Sequence, residues 1–399
     1  MNSIKKPIVI VGSGFAGISA ALNFKHKNPN NSIIVIDSKE NFLFKPLMYE
    51  VLSNEIQPWE IDIDFQTIFS NTGITFLNKE LKSISLANNL LKLKDGLQVE
   101  YSYLVLSTGS LYNSFSIKGV QEYCNFFHNM EDLTKLKNVL EKRSTKSGLN
   151  NNLFIIGGGP SGVELACKLS DLYNENFRIT VIERSQEILN NNKIFNREEA
   201  FKAIQNRKIN LLLNTTVKEI SEKEIVIIDK FSQLKNLNYE AIIWTAGVKP
   251  CMPIVTEEIE KYNEYILIRE TLQLKEFANV FAIGDIASIE GSEDLPKTAQ
   301  LAMQQGIHVA ENLNLLINKK DSLPFIFKDN GEMISLGIGE ASISGLGLTL
   351  SGKFAFELRR LIYASKMPLF EKSFKSAASW IIDKKSLLNS ITSKMKSDI

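Results

Sequence analysis

A chain of 399 residues with 44% apolar side chains can bury two to three domain cores, and 46 Lys and Arg against 45 Asp and Glu leave no charge excess to attract nucleic acid. Three cysteines, Cys124, Cys167 and Cys251, have no C-x-x-C spacing, which excludes a redox-active pair, a metal knuckle and a secreted disulfide scaffold and reads as reduced structural thiols. His26, His128 and His308 stand apart, so no metal site is expected and each reads as a surface or packing residue. No apolar run reaches the roughly 18 residues of a membrane span, and no apolar signal-peptide segment precedes the first strand.

In chain order, the first element is the apolar run Ile8–Val11, followed by Gly12-Ser13-Gly14-Phe15-Ala16-Gly17 and a helical stretch. A second run, Ile33–Ile36, ends in Asp37, about 20 positions past the glycines. Residues 74–77 and 90–93 read as strands. Residues 103–106 read as a buried strand closed by Ser107-Thr108-Gly109, and 130–145 as a helix. The pattern then recurs. Phe154–Ile156 leads into Gly157-Gly158-Gly159-Pro160-Ser161-Gly162, Ile179–Ile182 ends in Glu183, and Ala241–Trp244 closes in Thr245-Ala246-Gly247. Next come a strand ending in Gly284-Asp285 and a helix over 298–316. The Asn150–Asn152 and Asn190–Asn192 clusters read as loops.

Each G-x-G-x-x-G unit has a physical reading. Its first glycine (Gly12, Gly157) permits the tight turn, its second (Gly14, Gly159) lets backbone approach a pyrophosphate, and its third (Gly17, Gly162) lets helix pack on strand. The helix N-terminus offers N–H groups and a positive dipole end to phosphate. Asp37 and Glu183 would each bind a ribose hydroxyl pair, and Asp285 a polyol. Two dinucleotide sites in one chain imply two dinucleotides exchanging electrons.

These motifs resemble the two-dinucleotide-binding flavoprotein superfamily of glutathione reductase and ferredoxin reductases. The resemblance implies FAD at the first motif, with Gly284 and Asp285 completing that site, and NAD(P)H at the second. Thr108-Gly109 and Thr245-Ala246-Gly247 resemble the superfamily's strand-end turns. Leu295-Pro296-Lys297-Thr298-Ala299-Gln300-Leu301-Ala302-Met303-Gln304-Gln305-Gly306 is similar to the A-Q-x-A-x-Q-Q-G segment of type II NAD(P)H:quinone dehydrogenases, single-subunit enzymes that pump no protons. Asn41–Glu50 resembles their F-x-P-L-L-Y segment and Gly157–Glu164 their G-G-G-P-T-G-V-E. Phe44-Lys45-Pro46, Trp59-Glu60-Ile61, Asn196-Arg197-Glu198 and Gly331–Gly337 resemble the cyanobacterial and plastid type C branch, associated with demethylphylloquinone and plastoquinone-like acceptors. Two departures stand out: Lys297 replaces a proline, and Lys45 replaces a glutamine, the latter as in the type C branch.

The fold class expected is therefore α/β: two Rossmann-type domains plus a C-terminal membrane-associating segment. Residues 1–118 and 268–330 would form the FAD-binding domain, 119–267 the NAD(P)H-binding domain, and 331–399 the C-terminal region. The resemblance implies a peripheral flavoenzyme passing electrons from NAD(P)H through FAD to a quinone. Alternatives are a ferredoxin- or oxygen-linked reductase and a redox-sensing flavoprotein acting through a partner. Sulfide as donor is disfavoured because paired cysteines are absent.

Gln300 and Gln304, four apart on one helix face, would hydrogen-bond a quinone or the flavin, with Ala299 small enough for a flat ring to approach. Glu164, read in the first turn of the second motif's helix, is either near the nicotinamide or a proton route, or merely dipole-stabilised. Lys45 either lies near the flavin or snorkels at the surface. Gly109 and Gly247 would shape the strand-end turns. Glu183 disfavours NADPH while Arg184 beside it could bind a 2′-phosphate, so either nicotinamide fits.

Residues 353–399 hold ten Lys and Arg against four Asp and Glu. Phe370, Phe374, Ala377, Ala378 and Ile381 recur there at helical spacing among lysines. Such a helix lies on a membrane surface or packs on the protein or on a homodimer partner. On the membrane reading, the enzyme sits on the cytoplasmic face of a thylakoid or plasma membrane, and truncation after about Gly352 releases it.

Overall fold

The computed structural model describes residues 6–144 and 151–368. The elements that position the candidate sites are, in chain order, β1 (Ile8–Val11), α1 (Phe15–Lys27), β2 (Ile33–Asp37), β3 (Thr75–Asn78), β4 (Tyr103–Leu106), α2 (Met130–Ser144), β5 (Asn152–Ile156), α3 (Pro160–Tyr173), β6 (Arg178–Ile182), β7 (Asn210–Leu212), β8 (Ala241–Trp244), β9 (Val280–Ala282), α4 (Ala299–Ile317), β10 (Glu332–Ser335), β11 (Ala341–Gly345), β12 (Leu348–Ser351) and α5 (Gly352–Ser365). The chain divides into two compact units. The first is Met1–Leu43, Ile63–Asn113 and Gly247–Asp329; the second is Phe44–Asp62, Ser114–Ala246 and the described residues from Asn330 on.

The first unit is built on a five-stranded sheet in the order β9-β4-β1-β2-β3, parallel throughout. Its central strands β1 and β4 are uninterrupted apolar runs because both sheet faces are covered. Helix α1 buries Ala16, Ile18, Ala20, Ala21 and Phe24 and ends in Lys25, His26 and Lys27, where cations complement the dipole. Helix α4 lies directly on α1. A Cβ on Gly306 would stand 2.3 Å from the Ala16 carbonyl oxygen and 2.8 Å from Ser19 Cβ, so only glycine allows that approach. Thr298 starts α4 by accepting a hydrogen bond from the Leu301 amide at 3.2 Å.

The second unit repeats the design with a parallel sheet in the order β7-β6-β5-β8. Helix α3 is buried along most of its length, including the charged Glu164 and Lys168. The described part of the expected C-terminal region belongs to this unit. Strands β10, β11 and β12 form an antiparallel sheet, and α5 packs on it through Ala355 and Phe356 against Ala341 and Ile343. The tail helix expected around Phe370–Ile381 lies outside the described residues.

The unit boundaries differ from the expected domain limits. Residues 247–267 fall in the first unit, where Val248–Pro250 pairs antiparallel with Ser110–Tyr112 and Val255 bridges Ile84. Residues 44–62, early in the chain, fall in the second.

Because the α1–α4 contact has no room for a methyl group, Gly306→Ala is expected to destabilise the fold by about 1–3 kcal/mol. Thermal unfolding should show the midpoint falling by several degrees.

Candidate active site

In the first unit the three motif glycines do different work. Gly12 has φ +94°, and a Cβ there would stand 2.3 Å from the Ser107 carbonyl oxygen. A Cβ on Gly17 would stand 1.9 Å from the Gly12 carbonyl oxygen. At Gly14 no atom lies within 4 Å of the Cβ position, so the middle glycine opens free space at the N-terminus of α1, where no side chain caps the first N–H groups. A dinucleotide pyrophosphate fits that cradle.

The surrounding residues brace it. Ser107 Oγ donates to the Gly12 carbonyl at 2.7 Å. Asp37, at the end of β2, accepts from the Ser13 amide and hydroxyl, both at 2.7 Å, and from the Lys39 amide at 2.9 Å. Asp285 accepts the Ser110 hydroxyl at 2.7 Å. The neighbouring Gly284 amide donates to Gln305 Oε1 at 2.7 Å, which ties this turn to α4. Thr108, Gly109 and Gly247 serve the backbone: the Thr108 hydroxyl donates to the Cys251 carbonyl at 2.5 Å, the Cys251 amide donates to the Gly109 carbonyl at 2.9 Å, and the Asn113 amide donates to the Gly247 carbonyl at 3.0 Å.

The first two turns of α4 separate the two glutamines that the sequence paired. Gln300 and Ala299 are half-buried in the first turn. Gln304 Nε2 donates to the Lys328 carbonyl at 2.8 Å and its Oε1 accepts the Lys328 amide at 3.0 Å, so both ends of that amide are engaged by backbone. Gln305 and Gly306, which the sequence reading passed over, hold the Asp285 turn and the α1 contact.

The second unit carries the same cradle. Gly157 has φ +110°, a Cβ on Gly162 would stand 1.9 Å from the Gly157 carbonyl oxygen, and the space beside Gly159 is open. Glu183 accepts from the Gly158 amide at 2.5 Å and the Ser185 amide at 2.8 Å, while Arg184 is exposed. Lys45 also lies in this unit, its Nζ 2.9 Å from His128 Nε2.

Glu164 sits in a buried ionic cluster of this unit. Its Oε1 accepts the Ser335 amide at 2.7 Å and lies 3.3 Å from the Arg359 guanidinium. Arg359, 1% exposed, also pairs with Glu50 and donates to the Pro46 carbonyl at 2.9 Å. Beside it Lys168 pairs with Glu55. Burial and the charge of Glu164 push the Tyr49 phenol well above its ordinary value. Burial is the largest influence on Glu164 and pushes its carboxyl up to about 7, aided by the charge of Glu50 and opposed by Arg359, the Ser335 amide and Lys168. Glu164 is thus the fifth residue of α3, held by partners from distant segments rather than by the helix dipole alone. Glu50 and Arg359 were not among the sequence candidates, although Tyr49-Glu50 closes the singled-out Asn41–Glu50 segment. Burial also raises the thiols, Cys124 and Cys167 to about 12, so both stay protonated and poorly nucleophilic at neutral pH.

Residues 6–306 match the Pyridine nucleotide-disulphide oxidoreductase family. The chain is 31% identical to the demethylphylloquinone reductase NdbB of Synechocystis, covering 96% of this chain and 97% of that protein. It is 30% identical to the alternative NAD(P)H-ubiquinone oxidoreductase C1, chloroplastic/mitochondrial, of Arabidopsis thaliana, covering 98% and 85%. The chain belongs to the type II NAD(P)H:quinone oxidoreductase family. The family fold is also seen in the structure of NDH2 from Plasmodium falciparum in complex with NADH, with a TM-score of 0.85, 19% identity and coverage of 96% and 98%.

In this family member the raised Glu164 carboxyl has a thermodynamic consequence. The folded chain binds that proton more tightly than the unfolded chain, whose value is near 4.5. The stability it contributes is fully present below pH 4.5 and is lost as pH rises through about 7. Glu164→Gln is expected to flatten the fall in melting temperature across this window, measured by calorimetry against pH.

Proposed function

We propose that this chain is a FAD-dependent NAD(P)H:quinone oxidoreductase acting at a membrane surface. The observation that carries the reading is the doubled glycine cradle, open at Gly14 and again at Gly159, with a carboxylate fixed beside each. Gly12, Gly14, Gly17, Asp37, Gly284 and Asp285 would hold FAD, and Gly157, Gly159, Gly162 and Glu183 would hold the nicotinamide dinucleotide. Bound there, FAD would supply the redox chemistry that links NAD(P)H oxidation to quinone reduction.

The chain's own residues bind and orient more than they do acid–base work. Gln300 is proposed to face a quinone carbonyl, as the family segment around it implies, while Gln304 spends its amide on the Lys328 backbone. Quinone reduction consumes protons, and Glu164 can hold or release one at its carboxyl near neutral pH. The Tyr49 phenol, raised by burial and by Glu164, stays protonated at neutral pH. The acceptor class proposed is a lipid-soluble quinone of the kinds for which the Synechocystis and Arabidopsis relatives are named.

The direct test is steady-state turnover of NADH and NADPH against a quinone panel that includes a demethylated naphthoquinone. Oxygen as the only efficient acceptor would reject the reading. Gln300→Ala is expected to lower quinone turnover about tenfold or more while reduction of the bound flavin by NADH survives. Gln304→Ala should instead cost about 1–2 kcal/mol of stability by freeing the Lys328 segment.

Among the described residues no helix is long and apolar enough to cross a membrane, and surface attachment is proposed through the basic segment beyond Pro368. A cut after Gly352 would remove Arg359 and leave two buried carboxylates unbalanced. The informative truncation therefore follows Pro368: the shortened enzyme should keep its turnover with short-chain quinones and no longer co-sediment with anionic vesicles.

A further inference from the structure

Lys297 occupies the segment leading into α4, within the first unit. Its Nζ donates to the Ala287 carbonyl and lies 4.8 Å from the centroid of the Tyr265 ring. Ala287 directly follows the Gly284–Ile286 turn that carries Asp285, and the Asp285 carboxylate attracts this ammonium. That turn in turn sits against the phosphate end of α1, since a Cβ on Gly284 would stand 3.4 Å from Ala16 Cβ. Asp285 therefore brings a negative charge to the place where the open cradle at Gly14 would receive a second anion, the diphosphate of FAD. Two anions at partly dry, close range repel unless a cation is fixed nearby. Lys297 is half-buried, and its ammonium is held by a carbonyl and a ring face, neither of which cancels its charge.

We propose that Lys297 is a positioning residue for FAD: its ammonium offsets the charge of Asp285 at the phosphate end of α1 and so retains the cofactor. The inference rests on the FAD reading of the first cradle. It makes the lysine's charge the active property, beyond its bond to Ala287. Tyr265 and Asp285 are the titratable groups facing it. The Tyr265 phenol is raised by burial and by Asp285. Burial lowers the proton affinity of Lys297 itself, against the pull of Asp285. Because bound FAD would favour the charged lysine, affinity should fall as pH rises into the range where the flavin-free protein loses that proton.

The test measures FAD dissociation from the purified holoenzyme by flavin fluorescence, and FAD affinity by calorimetry, from about pH 7 to about pH 10. Lys297→Met and Lys297→Gln should each weaken FAD binding on the order of tenfold and abolish its pH slope, whereas Lys297→Arg should stay close to wild type. Glutamine keeps a hydrogen-bond donor for Ala287 without the charge, and it carries the test if the methionine variant does not fold. If Lys297→Gln binds FAD as wild type does, with the same slope, the proposal is overturned. A wild-type protein that binds no FAD overturns the proposal and the cofactor reading together, and that result is distinct from the first.

Discussion

Arg359 is 1% exposed and its guanidinium meets Glu50, Glu164 and the Pro46 carbonyl. A charge this deep is tolerated only when it is paired and hydrogen-bonded, and breaking such a pair is far more costly than never having made it. The pairing ties together three stretches of the second unit that are remote in sequence: the short helix Met48–Leu52, α3 and α5. It also leaves one more carboxylate than cation among these three side chains, with Glu50 Oε2 lacking a hydrogen-bond partner among the described residues. Burial is what holds the Glu164 carboxyl near 7 beside a guanidinium, with the charge of Glu50 a lesser aid. The same cluster joins three segments of the unit and raises the proton affinity of a carboxyl in its interior.

The two glycine cradles show how a repeated solution diverges in detail. In both, the first and third glycines are demanded by protein atoms and the middle one by empty space. In both, the acid at the end of the second strand already accepts a backbone amide from inside the glycine loop, Ser13 for Asp37 and Gly158 for Glu183. The supports differ. The first loop is braced by Ser107, just past β4, and the second by the Thr245 hydroxyl, which reaches the Ile156 carbonyl at 2.8 Å.

Much of this was legible in the sequence because it depends on local pattern. Apolar runs gave β1, β2, β4, β5, β6, β8 and β9, glycine spacing gave both cradles, and the helix supposed over 298–316 lies within a residue of α4 at each end. What stayed hidden depends on contacts between distant residues. Nothing local marks Glu50 as the partner of a residue 309 positions away, or Gln305 rather than Gln304 as the side chain that holds Gly284. The unit boundaries were missed for the same reason: residues 247–267 are claimed by pairing with Ser110–Tyr112 and Ile84, which no composition shift announces.

The seat of α4 on α1 fixes more than packing. With Gly306 pressed to the Ala16 carbonyl, α4 can neither slide by a turn nor rotate to offer another face. The helix that bears Gln300 is therefore a fixed rail for the first unit. Diversification is left to the short entry segment before Thr298, where side chains can be exchanged without moving the rail. Lys297 is one such exchange.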